Sequence, residues 1–131
     1  MQIAPPDFNF SSKPLVIGGV AMEYWGLRKA GSDIDLVVAS NDHLELKLKH
    51  PDNILDIFGD IGVCTDKFEI WNTIRRFDYG YLSFGAVDAG DYLIASLEKL
   101  LFMKSLVKDD EKSKKDAELI VDEILRRAYI V

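Results

Sequence analysis

Between Leu15 and Val38 two short apolar runs flank a glycine-punctuated stretch, and this segment constrains the fold more than any other. Leu15-Val16-Ile17 is three apolar residues, two of them β-branched, stopped by Gly18-Gly19. That pattern predicts a short buried strand. Val20, Ala21, Tyr24 and Trp25 then recur at helical spacing for about two turns, and Gly26 ends the helix. Asp33-Ile34-Asp35-Leu36-Val37-Val38 follows as a second apolar, β-branched strand. Alternate side chains on a strand share a face, so Asp33 and Asp35 point the same way, roughly 6–7 Å apart. Ile34, Leu36 and Val38 point into a core.

Beyond this segment the order of elements is read from period and punctuation. Residues 1–13 read as an amino-terminal arm. Ser40-Asn41-Asp42 is an N-cap cluster for a helix through about Lys49, closed by Pro51. The stretch 52–65 has turn residues but no clear period. Residues 67–74 and 79–87 read as strands. Leu93, Leu97, Leu100 and Leu101 form one helical stripe, and Ala117, Ile120, Val121, Ile124, Leu125 and Ala128 form another. These give a helix pair over 91–128, with a charged turn, VKDDEKSKK, between its members. No repeat and no long linker divides residues 1–131, which are expected to form a single α+β (mixed α/β) domain. It is a small mixed β-sheet backed by helices, with two helices at the carboxyl end.

Composition excludes several classes. The 131 residues are 48% hydrophobic and 29% charged, ample for one core. No apolar run approaches the length of a membrane span, and MQIAPPDFNF lacks the features of a signal peptide. The single cysteine, Cys64, excludes an internal disulfide framework and fits a cytoplasmic location. Acidic residues outnumber basic ones 22 to 16, so non-specific coating of nucleic acid is not expected.

The acidic strand carries the clearest chemistry. Two carboxylates side by side repel and are costly to desolvate, and a divalent cation resolves both problems. Hard oxygen ligands suit Mg²⁺ or Mn²⁺, which share phosphate oxygens with a substrate. A strand running through Gly18-Gly19 into a helix lets backbone N–H groups approach a phosphate. Arg28 is a fork-shaped phosphate donor, and the Ser32 hydroxyl is a further donor beside the strand.

Gly18-Gly19, thirteen residues, then Asp33-Ile34-Asp35 resembles the signature of the polymerase-β-type nucleotidyltransferase superfamily. The longer stretch GGVAMEYWGLRKAGSDIDLVV is similar to its small bacterial members, the minimal nucleotidyltransferases and the abortive-infection toxins. The resemblance implies that Gly18 and Gly19 contact the triphosphate and that Asp33 and Asp35 ligate Mg²⁺. It also implies two-metal transfer of a nucleoside monophosphate from an NTP, such as ATP, to an acceptor hydroxyl.

The family usually adds a third carboxylate from a neighbouring strand. Glu69 is the first candidate, sharing a face with Trp71 and Thr73, although the family more often has aspartate there; Asp56 and Asp66 are rivals. Lys104 lies within the leucine stripe, so its ammonium either snorkels to water or meets buried anions. The helix 97–104 resembles that of the abortive-infection type, in which a lysine faces the site, and Lys115-Asp116 resembles a later Lys-Asp pair of that group. His43 and His50 on a polar helix have no partners at zinc spacing. Cys64 reads as a small buried residue, and Tyr24 and Trp25 as core. The six lysines between Lys99 and Lys115 read as a solvated turn.

The expected function is a nucleotidyltransferase with RNA, a tRNA end, a protein or a small molecule as acceptor, drawing on a partner protein or a homodimer for acceptor choice. A toxin–antitoxin or phage-defence role is a family-level analogy. The rival is a catalytically inactive binding module of the same fold, and a third reading is an unrelated domain in which the Asp-x-Asp carries no chemistry.

Overall fold

The computed structural model describes residues 8–107 and 109–129; residues 1–7 of the expected arm, Lys108 and the last two residues lie outside it. Leu15–Ile17 (β1) runs directly into Gly18–Tyr24 (α1), and Ile34–Val37 (β2) precedes Ser40–Lys49 (α2). Ile54–Ile57 (β3), Asp60–Thr65 (β4) and Phe68–Trp71 (β5) follow. Thr73–Ile74 (β6) and Phe77–Asp78 (β7) form a small separate hairpin before Tyr79–Ser83 (α3). Val87–Asp88 (β8), Leu93–Ile94 (β9), Leu97–Ser105 (α4) and Glu111–Tyr129 (α5) complete the chain.

The seven-stranded mixed sheet has the order β3-β4-β5-β2-β1-β9-β8. The architecture is α+β. At its centre β2 pairs antiparallel with β1, Ile17 opposite Asp35, and parallel with β5, Asp35 opposite Glu69. Neighbouring residues Leu36 and Val37 are both fully buried, so this part of the sheet is covered on both faces. Leu15, Val16 and Ile70 are equally sealed, and each such side chain stabilises the fold by about 1.5–3 kcal/mol. Ile34, Leu36 and Val38 are buried and Asp35 is half-buried as the expected alternation has it, but Val37 is fully buried as well, so the alternation does not extend to the end of the strand.

Several local expectations are corrected. Residues 79–87 do not form one strand; only Val87 of that stretch is a strand residue, in β8. The Asp78 side chain accepts from the Tyr81 N–H and starts the short α3, whose Leu82 alone is fully buried while Phe84 stays exposed. Leu93 belongs to β9, not to a helix, because it pairs with β1; α4 starts only where Ser96 Oγ accepts from the Lys99 N–H. The helix pair is therefore α4 and α5 and does not span 91–128 continuously. Most of the expected charged turn is helix: α5 begins at Glu111, where the Asp110 carboxylate accepts from Ser113 Oγ at 2.7 Å.

Ser40-Asn41-Asp42 does not cap α2 by a side chain. Asp42 is instead buried and accepts from the N–H groups of Ser11 and Ser12, tying down the lead-in to β1. The unassigned stretch 52–65 holds the β3–β4 hairpin. His43 is not on a polar face. It is buried, and its Nε2–H donates to the Ile61 carbonyl at 2.9 Å. Tyr24 is about half exposed, so only Trp25 of that pair is anchored, by its indole N–H to the Ala95 carbonyl. Among the described residues no helix is long and apolar enough to cross a membrane.

Candidate functional site

The site is built where β1, β2 and β5 lie side by side. Gly18 leaves β1 at φ +62°, a left-handed conformation that favours glycine. A Cβ there would stand 2.6 Å from Asp35 Oδ2, so the missing side chain is the space the Asp35 carboxylate occupies. The first amides of α1 have no side-chain cap, which leaves the start of the helix open to a ligand.

Asp33 is exposed just before β2, and Asp35 and Glu69 are register partners on adjacent parallel strands. Burial, then the charge of Glu69 and a hydrogen bond to it, then the charge of Asp33, push the Asp35 carboxyl up to about 6; Lys104 opposes this more weakly. Among the described residues no cation forms an ion pair with Asp33, Asp35 or Glu69. The rival carboxylates are elsewhere. Asp56 accepts from the Gly59 N–H at the exposed β3–β4 turn, and Asp66 is exposed in the β4–β5 turn.

Cys64 pairs in register with Glu69 on its other side, so the strand-to-strand row runs Asp35, Glu69, Cys64. Burial first, then Glu69, Asp33 and Asp35, push its thiol up, which makes it a poor nucleophile.

The basic side of the site centres on Asp116. This buried carboxylate receives Arg28 in a fork, Nε at 2.7 Å and Nη2 at 2.8 Å, and Lys104 Nζ at 2.9 Å. Burial raises the Asp116 carboxyl, but the hydrogen bonds from Arg28 and Lys104 and their charges outweigh it and hold it at about 2. Lys104 thus aims its ammonium at a buried anion and does not snorkel. Arg28 lies against Gly19, beside the glycine turn, but its fork is held by Asp116, not free as the sequence reading had it. Ser32 is exposed and has no hydrogen-bond partner among the described residues. The lysines expected on a solvated turn are partly engaged, Lys99 over the Tyr81 ring at 3.6 Å and Lys114 with Glu111. His50 is the C-cap of α2, its backbone N–H donating to the Leu46 carbonyl.

No family model, curated protein or solved structure matches the chain. Its chemistry therefore rests on the arrangement itself.

A cavity of about 260 Å³ opens beside Asp35. Gly18, Asp35 and Lys104 form one part of its wall, and Trp71, Ile74, Leu100, Met103 and Val107 most of the rest. Sequence reasoning gave Trp71 the same face as Glu69 but no role, and it missed Ile74 and Met103. The available signal was only the strand alternation, since the helical half of the wall comes from a distant part of the chain.

Asp35 and Glu69 are half-buried, Asp33 is exposed, and among the described residues none of the three has a cation paired to it. As the side chains stand, no three His, Cys, Asp or Glu groups among the described residues converge closely enough to hold a metal ion.

Proposed function

We propose that the chain is a polymerase-β-type nucleotidyltransferase that moves a nucleoside monophosphate from an NTP to an acceptor hydroxyl. The observation that carries this reading is the register of β2 and β5. It sets Glu69 against Asp35, opposite the Gly18 turn, and among the described residues no cation is paired to either. Asp33, Asp35 and Glu69 are the residues that would hold Mg²⁺ or Mn²⁺. When bound, the ions would acidify the acceptor hydroxyl and neutralise the leaving pyrophosphate.

The chain's own residues supply position and charge. Gly18 and Gly19 offer backbone N–H groups to the triphosphate. Asp116 holds the Arg28 guanidinium beside the glycine turn and the Lys104 ammonium on the cavity wall, two fixed cations for a polyanionic substrate. Lys104 also bears on Asp35 electrostatically and favours its ionised, ligating form. Ser32, exposed ahead of β2, is available to a phosphate or an acceptor. The acceptor class proposed is an RNA end or a protein hydroxyl, with a partner protein or a second copy completing its recognition. A cytoplasmic location and a toxin or phage-defence role belong to the same reading.

The second reading is a binding module of the same fold that has lost catalysis. The separation of the carboxylates favours it, since no three ligand groups converge among the described residues. The discriminating experiment incubates the protein with each α-labelled NTP, Mg²⁺, and total RNA or cell lysate. The nucleotidyltransferase reading expects label on an acceptor with the wild type and none with Asp33→Ala/Asp35→Ala. Equal label in both proteins would sink it.

A further inference from the structure

The apolar part of the cavity beside Asp35 has a chemistry of its own. Trp71 is 8% exposed, and its indole lies flat over Gly62, where a Cβ would meet ring carbons at 2.9–3.1 Å. Gly62 is opposite Trp71 in the β4–β5 register, so the missing side chain sets the height of the indole on the sheet. The rest of the apolar wall is Ile17, Ile74, Leu100, Met103 and Val107. Polar groups are few. The Ser113 hydroxyl lines the cavity but already donates to Asp110 at 2.7 Å. Among the described residues the Trp71 indole N–H meets no acceptor, whereas the Trp25 indole N–H has the Ala95 carbonyl.

A ligand suited to this wall has flat, apolar faces and an acceptor atom for the indole N–H, which is not sealed from solvent. It is not hydroxyl-rich, because nothing there would replace the water that hydroxyls lose. A volume of about 260 Å³ lies below the range of drug-sized sites and suits one ring system, not a whole nucleotide. We infer that this cavity holds the nucleobase of the NTP, stacked on Trp71, and that it accepts any of the four bases. Every base offers a π-face and a ring or carbonyl acceptor. No unengaged amide or carboxamide on this wall distinguishes an exocyclic amine from a carbonyl. Trp71 is then the residue that separates nucleotides from bare polyphosphates, and Met103 and Ile74 close the slot around the ring.

This inference rests on the nucleotidyltransferase reading, and its test separates the two. In a Trp25→Phe background Trp71 is the only tryptophan. With Mg²⁺ present, ATP, GTP, CTP and UTP are each titrated against tripolyphosphate, following Trp71 emission and, by calorimetry, affinity. Each NTP is expected to change the Trp71 emission and to bind about tenfold or more tighter than tripolyphosphate, the scale of one stacked base. The four NTPs are expected to agree within about tenfold of one another. Trp71→Leu is expected to bring NTP affinity down to that of tripolyphosphate and to leave tripolyphosphate binding intact, which also shows that the variant folds. NTPs that bind no tighter than tripolyphosphate, with unchanged Trp71 emission, would overturn the base site and leave the phosphate reading standing. A preference for one NTP beyond tenfold would overturn the tolerance. Absence of binding by NTPs and tripolyphosphate alike would overturn both readings.

Discussion

At the scale of single residues, the site is a balance between two carboxylates under opposite stress. Asp35 is held up to about 6 and Asp116 down to about 2, and each has a stability consequence. For Asp35 the folded value lies above the unfolded one. The folded state therefore carries a penalty that is absent below about pH 4, grows between pH 4 and 6, and is complete above that. Asp35→Asn is expected to stabilise the metal-free protein at pH 7.5 by about 2–3 kcal/mol and by far less at pH 4, measured as a denaturant midpoint. A destabilised variant at pH 7.5 would contradict the charge argument.

For Asp116 the sign reverses. Its contribution, about 2 kcal/mol, is present above the unfolded value and is lost as the pH falls from about 4 to about 2. Asp116→Asn leaves Arg28 and Lys104 without their shared anion and is expected to cost about 3 kcal/mol or more at pH 7 in a urea melt. An unchanged midpoint would mean that the network is not a structural clamp.

At the scale of elements, function depends on how tightly β1, β2 and β5 are locked. Gly18→Ala forces a left-handed backbone on alanine and drives a methyl group into Asp35. The backbone part alone costs about 1–2 kcal/mol. The expected result is a lowered melting temperature together with weakened NTP binding, since the carboxylate must move. A variant with wild-type melting and NTP affinity would refute the close packing. Hydrogen exchange is expected to separate the sheet by position. Strand β3 forms the edge and all four of its residues are exposed, so its amides should exchange first, and those of β1, β2 and β5 last.

These elements also show what a sequence discloses. Leu15-Val16-Ile17 followed by two glycines, and the alternation from Asp33 to Val38, are local patterns, and the central strands and α1 follow from them. The stretch 79–87 was illegible because one capping contact from Asp78 overrides the β-like composition of its aromatic residues. Leu93 fits a helical stripe equally well as spacing, and its pairing with β1 and β8 makes it a strand residue. Arg28 and Asp116 are 88 positions apart, and no local pattern announces that one will hold the other. The wall formed by Trp71, Leu100 and Met103 is hidden for the same reason.

At the scale of the whole molecule, the net charge of −6 now has a distribution. Part of the acidity is concentrated in the row around Asp35, and part of the basic charge is spent internally on Asp116, Glu111 and the Tyr81 ring. The protein alone is therefore expected to bind unrelated duplex RNA weakly, with no mobility shift at 0.15 M salt and about 1 μM protein, at the tight limit of ordinary non-specific binding. Retention at that concentration would show a free basic surface that the structure does not predict.

The central claim is that Asp35 and Glu69, set side by side by the β2–β5 register, perform nucleotidyl transfer together with Asp33. The most direct measurement is transfer of label from an α-labelled NTP, with Mg²⁺, to acceptors in total RNA and lysate. It compares the wild type with Asp35→Asn and Glu69→Gln, each first shown to be folded. Label on an acceptor with the wild type and loss of it in both variants is the predicted result. Equal labelling by all three proteins, or no transfer by the wild type under any NTP, would contradict it.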